Sequence, residues 1–116
     1  MRVLILASAD MEIPAELVGL LTAKKKVSAI RVSEKQTDLA SSVTKFAERL
    51  NNRRKAQSPI YVDVHARGDR KPVAYLTSLL MNCDEAVFIW DGECKATKNV
   101  IAAWHGMDRP YTLYRA

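Results

Sequence analysis

The stretch Ala86-Val87-Phe88-Ile89-Trp90-Asp91-Gly92-Glu93-Cys94-Lys95-Ala96-Thr97 decides how this chain folds. Its first five residues are apolar without alternation, the pattern of a strand covered on both faces, as in a parallel sheet. It is the most apolar run in the chain and is expected near the sheet centre. Asp91-Gly92 ends the strand, because this pair favours a turn. A short helix follows over Asn99 to Gly106, where Gly106 suits a C-cap. Pro110 to Tyr114 then reads as a last strand. Strand, turn, helix and strand make one βαβ unit.

Working back to the start, the same alternation recurs. Arg2 to Ala7 is a branched, apolar run and a first buried strand. Ile13 to Ala23 spaces Leu17, Leu20 and Leu21 as a helix does, and Pro14 suits a first turn. Val27 to Val32 is a second strand. A longer helix, capped by Thr37 or Asp38, carries Leu39, Val43, Phe46, Ala47 and Leu50 on one stripe and closes at Asn51-Asn52. Pro59 to His65 alternates Ile60, Val62 and Val64 with Tyr61, Asp63 and His65, which predicts a strand with one more exposed face, at an edge. Pro72 to Asn82 is helical, with Leu76, Leu79 and Leu80 toward the sheet. The order β-α-β-α-β-α-β-α-β predicts an α/β, three-layer, Rossmann-like domain over residues 1–116. Its five parallel strands are expected in the order 3-2-1-4-5, with helices on both faces.

Composition narrows the function classes. At 48% apolar residues the chain can bury a core, which sets aside a disordered tail. Its apolar runs are too short to span a bilayer, and Asp10 and Glu12 interrupt the N-terminal run before it becomes a signal peptide. Cys83 and Cys94 have no metal-site spacing and suit free thiols, so a cytoplasmic location is expected. His65 and His105 likewise lack ligand spacing. The net charge is +5, with basic clusters at Lys24-Lys25-Lys26, Arg53-Arg54-Lys55 and Arg67 to Lys71. The first two fit helix C-termini, where cations offset the helix dipole; the alternative is a surface that attracts a polyanion.

In an open parallel sheet, ligands sit beyond the carboxyl ends of the strands, where the strand order reverses. The predicted order makes the loops after the first and fourth strands neighbours there. The candidate ligand-binding residues are therefore Ser8, Asp10, Trp90, Asp91, Gly92, Lys95, Thr97 and Asn99. Unpaired amides at the start of the last helix favour an anion. Gly92 allows close approach, Thr97 caps the helix or meets the ligand, and Lys95 and Lys98 add positive charge. Each residue also has a plainer role. Trp90 stacks on a base or caps the core; Asp91 acts on a ligand or organises its own turn; Asp10 faces a ligand or a helix N-terminus. Ser33, Glu34 and Asp38 form a third wall, or Asp38 caps its helix. Cys94 lies near a helix N-terminus, which lowers a thiol pKa, but no base stands beside it in sequence.

Residues Cys83 to Ile101 resemble the C-terminal signature of the SLOG superfamily, which groups relatives of DNA-processing protein A and of the Lonely Guy proteins. There an acidic residue precedes a strand that runs into Trp-Asp-Gly, a small residue, Gly-Thr and a helix. Asp84, Trp90-Asp91-Gly92 and Thr97 match; Ala96 replaces the glycine and Cys94 the usual serine. Arg109-Pro110-Tyr111 fits the entry to the last strand. Only Ser8 of Ala7-Ser8-Ala9 and Asp38 of the Arg31 to Asp38 stretch match the family elsewhere, and the glycine-rich phosphate loop and the Pro-Gly-Gly-x-Gly-Thr motif are missing. The resemblance implies a Rossmann-like fold and a nucleotide-type ligand more than it implies catalysis.

The expected function is thus binding of a nucleotide or nucleotide-derived ligand by a sensor or sequestering module, with no metal and no cofactor. The alternatives are a nucleotide-processing hydrolase using Asp91 or Glu93, and a nucleic-acid or protein-binding module that keeps only the fold. A homodimer or higher oligomer is expected, and the small size and eroded motif suit a bacterial or phage protein.

Overall fold

A computed structural model describes residues 1–22, 26–54 and 59–115. The elements are β1 (Arg2–Ala7), α1 (Ala15–Thr22), β2 (Ala29–Ser33), α2 (Thr37–Arg54), β3 (Tyr61–His65), α3 (Pro72–Leu80), β4 (Glu85–Trp90), α4 (Lys95–Gly106) and β5 (Tyr111–Arg115). The five strands form one parallel sheet in the order β3-β2-β1-β4-β5, as the sequence predicts. Among the described residues no helix is long and apolar enough to cross a membrane.

β1 takes the central place because both of its faces are apolar. Val3, Ile5 and Ala7 point to one side and Leu4 and Leu6 to the other. Val18 of α1 and Leu39, Val43 and Ala47 of α2 close the first side. Leu79 and Leu80 of α3 and Val100 and Trp104 of α4 close the second. Strand and helix periodicities thus meet in two cores, one on each face of the sheet.

β3 is an edge strand, as expected, but its burial does not alternate: Tyr61 and Val64 are exposed, and Val62, Asp63 and His65 are half-buried. Val62 packs against the first core, whereas Asp63 and His65 turn to the opposite face. That polar face is used. Register places Leu4, Arg31 and Asp63 side by side. Arg31 is buried and its Nε donates to Asp63 Oδ2 at 2.8 Å. Its Nη1 donates to the carbonyls of Ser78, Leu79 and Met81 at 3.3, 3.2 and 2.6 Å. One guanidinium therefore meets two of the last carbonyls of α3 and that of Met81 just beyond it. Asn82 follows in the left-handed region at φ 63°.

Several expected boundaries shift. α3 stops at Leu80, and Leu76, expected against the sheet, is 37% exposed. α4 starts at Lys95, four residues before Asn99. Gly106 is helical, and the left-handed turn falls on Asp108 at φ 57°. Ala23, Lys24, Lys25 and Lys55 lie outside the described residues, as do the side chains of Leu21, Arg53 and Arg54, so those parts of the predicted stripe and basic clusters do too. The Arg67 to Lys71 cluster precedes α3 and so sits at a helix N-terminus.

Replacing Arg31 with Met keeps the length and removes the donors. The variant is expected to lose about 2 kcal/mol, because the carbonyls at the end of α3 lose their donor and Asp63 keeps only Arg2, at 4.0 Å. Urea unfolding measures this, and a loss within about 0.5 kcal/mol, the range of an ordinary surface change, contradicts the capping role.

Candidate functional site

β1 and β4 run in parallel from Val3↔Glu85 to Ala7↔Ile89 and deliver their loops to one corner. Ser8 joins them. Its N–H donates to Ile89 O at 2.8 Å, and its Oγ accepts the Asp91 N–H at 3.1 Å. The predicted neighbourhood of Ser8 and Asp91 at the switch point therefore forms.

The loop after β4 is shaped mainly by its own side chains. Asp91 Oδ1 accepts from Glu93 N and Cys94 N, both at 2.8 Å, which closes an Asx turn. Those bonds, from Cys94 first and Glu93 next, hold the Asp91 carboxyl below the usual aspartate value against weaker desolvation. Gly92 takes φ 87°, a left-handed conformation that only glycine adopts without cost. The half-buried Trp90 donates its indole N–H to Cys94 O at 3.1 Å and so straps the loop from the other side.

Cys94 is the N-cap of α4 and makes no side-chain cap to the usual pattern of an oxygen acceptor. Its Sγ instead accepts the Thr97 hydroxyl at 3.3 Å. That hydroxyl, then the amides of Thr97 and Ala96, lower the Cys94 thiol pKa; desolvation and the Asp91 charge oppose them. Thr97 is buried at 4% exposure in the first turn of the helix. It neither caps α4 nor faces solvent, so its predicted role as cap or ligand contact gives way to holding the thiol.

The amides of Glu93 and Cys94 thus meet an acceptor from the loop itself, whereas those of Ala96 and Thr97 favour the thiolate without making a cap hydrogen bond to it. The expected free amides at the start of the last helix are there: among the described residues, the N–H groups of Lys95, Ala96 and Thr97, and that of Gly92 before them, meet no hydrogen-bond acceptor. Lys95 and Asn99 are exposed on α4, with Asn99 inside the helix and away from the loop.

Asp10 is turned to α2. Its Oδ1 accepts from Asp38 N and Leu39 N at 2.9 and 3.1 Å, and its Oδ2 accepts from Thr37 Oγ at 3.1 Å. Desolvation raises its pKa, but the bonds from Leu39, Asp38 and Thr37 together bring it below the usual value. Neither Thr37 nor Asp38 caps α2 by its own side chain; Asp10 supplies that carboxylate from a distant loop. The third wall differs as well. Ser33 is buried and bonds Tyr75 Oη at 2.7 Å, and Glu34 Oε1 accepts the Arg67 N–H at 2.8 Å.

Two residues outside the predicted set complete the corner. Gln36 clamps the end of β1, with Nε2 donating to Ala7 O at 2.6 Å and Oε1 accepting Ala7 N at 3.1 Å. Arg115 pairs opposite Trp90 at the end of β5 and lays its guanidinium across Gly92. A Cβ on Gly92 would stand 2.6 Å from Arg115 Nη2. Among the described residues no carboxylate pairs with that guanidinium. The signal for Arg115 was available: in the 3-2-1-4-5 order, a basic residue ending β5 borders the loop after β4.

Asp91 is held as a carboxylate and cannot donate a proton near neutral pH. Cys94 has no histidine beside it, since His65 bonds Ser78 and His105 packs on Tyr111. Among the described residues no group of three or more His, Cys, Asp or Glu is placed to hold a metal ion. No family model, curated protein or solved structure matches this chain.

Two outcomes follow from this geometry. Gly92→Ala is expected to cost about 1 to 2 kcal/mol through φ and the Arg115 contact together. Adding Arg115→Ala recovers the contact part only, and full recovery in a double-mutant cycle would contradict the backbone requirement. Iodoacetamide at neutral pH is expected to alkylate Cys94 well before Cys83, whose burial pushes its thiol up. Thr97→Val slows the Cys94 reaction, because losing the hydroxyl bond raises the thiol pKa and leaves less thiolate. Equal rates at the two cysteines, read by peptide mass, would refute the assignment.

Proposed function

We propose that this chain is a binding module, of sensor or sequestering type, for a nucleotide or nucleotide-derived anion, and a divergent member of the SLOG superfamily. The observation that carries the reading is the Arg115 guanidinium, without a carboxylate partner among the described residues, lying over Gly92 at the switch point. Guanidinium offers phosphate a planar, two-point contact, and the open amides of Gly92 and Lys95 add to it. The Lys95 and Lys98 ammonium groups raise the local potential. Trp90 is half-buried with its N–H already bonded, which leaves its ring as a stacking surface for a base.

This reading differs from a glycine-rich phosphate loop in one respect. Asp10 caps the N-terminus of α2, and Asp91 is a fixed anion in the turn that leads into α4. Affinity therefore rests on side-chain cations, and the bound phosphate is expected to be one group rather than a long chain. Catalysis is not part of the reading.

Thermal shift with mononucleotides, cyclic nucleotides and dinucleotides tests it. At least one class is expected to raise Tm, as any ligand selective for the native state must. Arg115→Ala weakens that ligand about tenfold, the loss of one charge-assisted contact. Absence of stabilisation across the panel, or an unchanged affinity in the variant, refutes the proposal.

A further inference from the structure

A second opening lies on the α3 face, reached by Gln36 of the corner but lined by neither Gly92 nor Arg115. It is a cavity of about 220 Å³ lined by Leu6, Ser33, Lys35, Gln36, Pro72, Tyr75, Leu76 and Leu79. Its inner walls are buried side chains: Leu6 from β1, Ser33 from β2, and Tyr75 and Leu79 from α3. Lys35 and Leu76 form its exposed lip.

The polar atoms of the wall are occupied. Tyr75 Oη donates to His65 O at 2.7 Å, which leaves the Ser33 hydroxyl to donate to Tyr75 Oη across 2.7 Å. Ser33 Oγ in turn accepts the Lys35 N–H at 3.3 Å. The Gln36 amide is spent on both backbone groups of Ala7. A wall of this kind presents carbon and saturated hydroxyls, so water gains little there and an apolar body gains more.

One charge stands at the mouth. Lys35 Nζ lies 5.8 Å from the Tyr75 ring centroid. Among the described residues no carboxylate pairs with it, and the neighbouring Glu34 carboxylate is engaged by the Arg67 amide. Size limits the occupant. A closed cavity of about 150 Å³ holds benzene, so this half-open one has room inside for a single ring with a short substituent.

From the cavity, its saturated wall and the lone cation at its lip, we infer that this chain has a second site for a small apolar carboxylate. The ligand is a monocyclic aromatic or branched aliphatic acid, with its hydrocarbon body among Leu6, Tyr75, Leu76 and Leu79 and its carboxylate toward Lys35. The site is separate from the one beside Gly92.

Amide NMR titration of the full chain tests this with phenylacetate and 4-methylpentanoate, their neutral amides, and acetate. Saturable shifts centred on Lys35, Tyr75 and Leu79 are expected for the two acids. The neutral amides bind about tenfold more weakly, and acetate, which has no apolar body, does not saturate. Lys35→Met, at an exposed position, makes acid and amide equal. Leu76→Trp fills the mouth and abolishes binding while leaving the remaining spectrum native. The inference is overturned if neither acid saturates, if acid and amide bind equally to the unmodified chain, if shifts centre on Gly92 and Arg115, or if Leu76→Trp binds as before.

Discussion

The parallel pairing of β1 with β4 is the constraint on which the rest depends. Its register from Val3↔Glu85 to Ala7↔Ile89 joins residues more than eighty apart in sequence. It reverses the strand order, sends α1 and α2 to one face and α3 and α4 to the other, and brings the loops after β1 and β4 to one corner. Small polar contacts hold both ends of the pairing. Asp84 Oδ2 accepts the Arg2 N–H at 2.8 Å at one end, and Ser8 ties Ile89 and Asp91 at the other. The acidic residue before β4 thus has a structural task, independent of any ligand.

Charge at the corner is arranged by the same logic. Two helix N-termini point toward it, and an ordinary phosphate-binding fold leaves their amides to the ligand. Here Asp10 serves α2, while Asp91 takes the two amides of the turn that leads into α4. The positive potential passes to Arg115, which enters from β5. Carboxylates placed this way stabilise the chain near a helix start without any bound anion.

Much of this was legible along the chain. The apolar runs at Val3 to Ala7 and Ala86 to Trp90 mark strands covered on both faces, and strict alternation with helical segments leaves few arrangements open. The alternation at Ile60 to His65 marks an edge. Ser8, Asp91 and Gly92 do share a corner. The misses have physical causes. Thr97 was expected to cap, but the helix begins two residues earlier at Lys95, which turns Thr97 inward. Asp10 was expected to face a ligand or a helix N-terminus, and the α2 amides take it. Leu76 fits the apolar stripe of α3, yet it lines a cavity lip instead of the core.

By itself the sequence determined the classes of segment, their order and the sheet they must make, because hydrophobic periodicity and turn residues act over a few neighbours. The tertiary structure alone decided which carboxylate meets which amide, that Arg31 closes α3, and that Arg115 covers Gly92. Those pairings span long stretches of chain. They are fixed by strand register and helix placement to within an ångström or so, a precision that no local pattern of residues encodes.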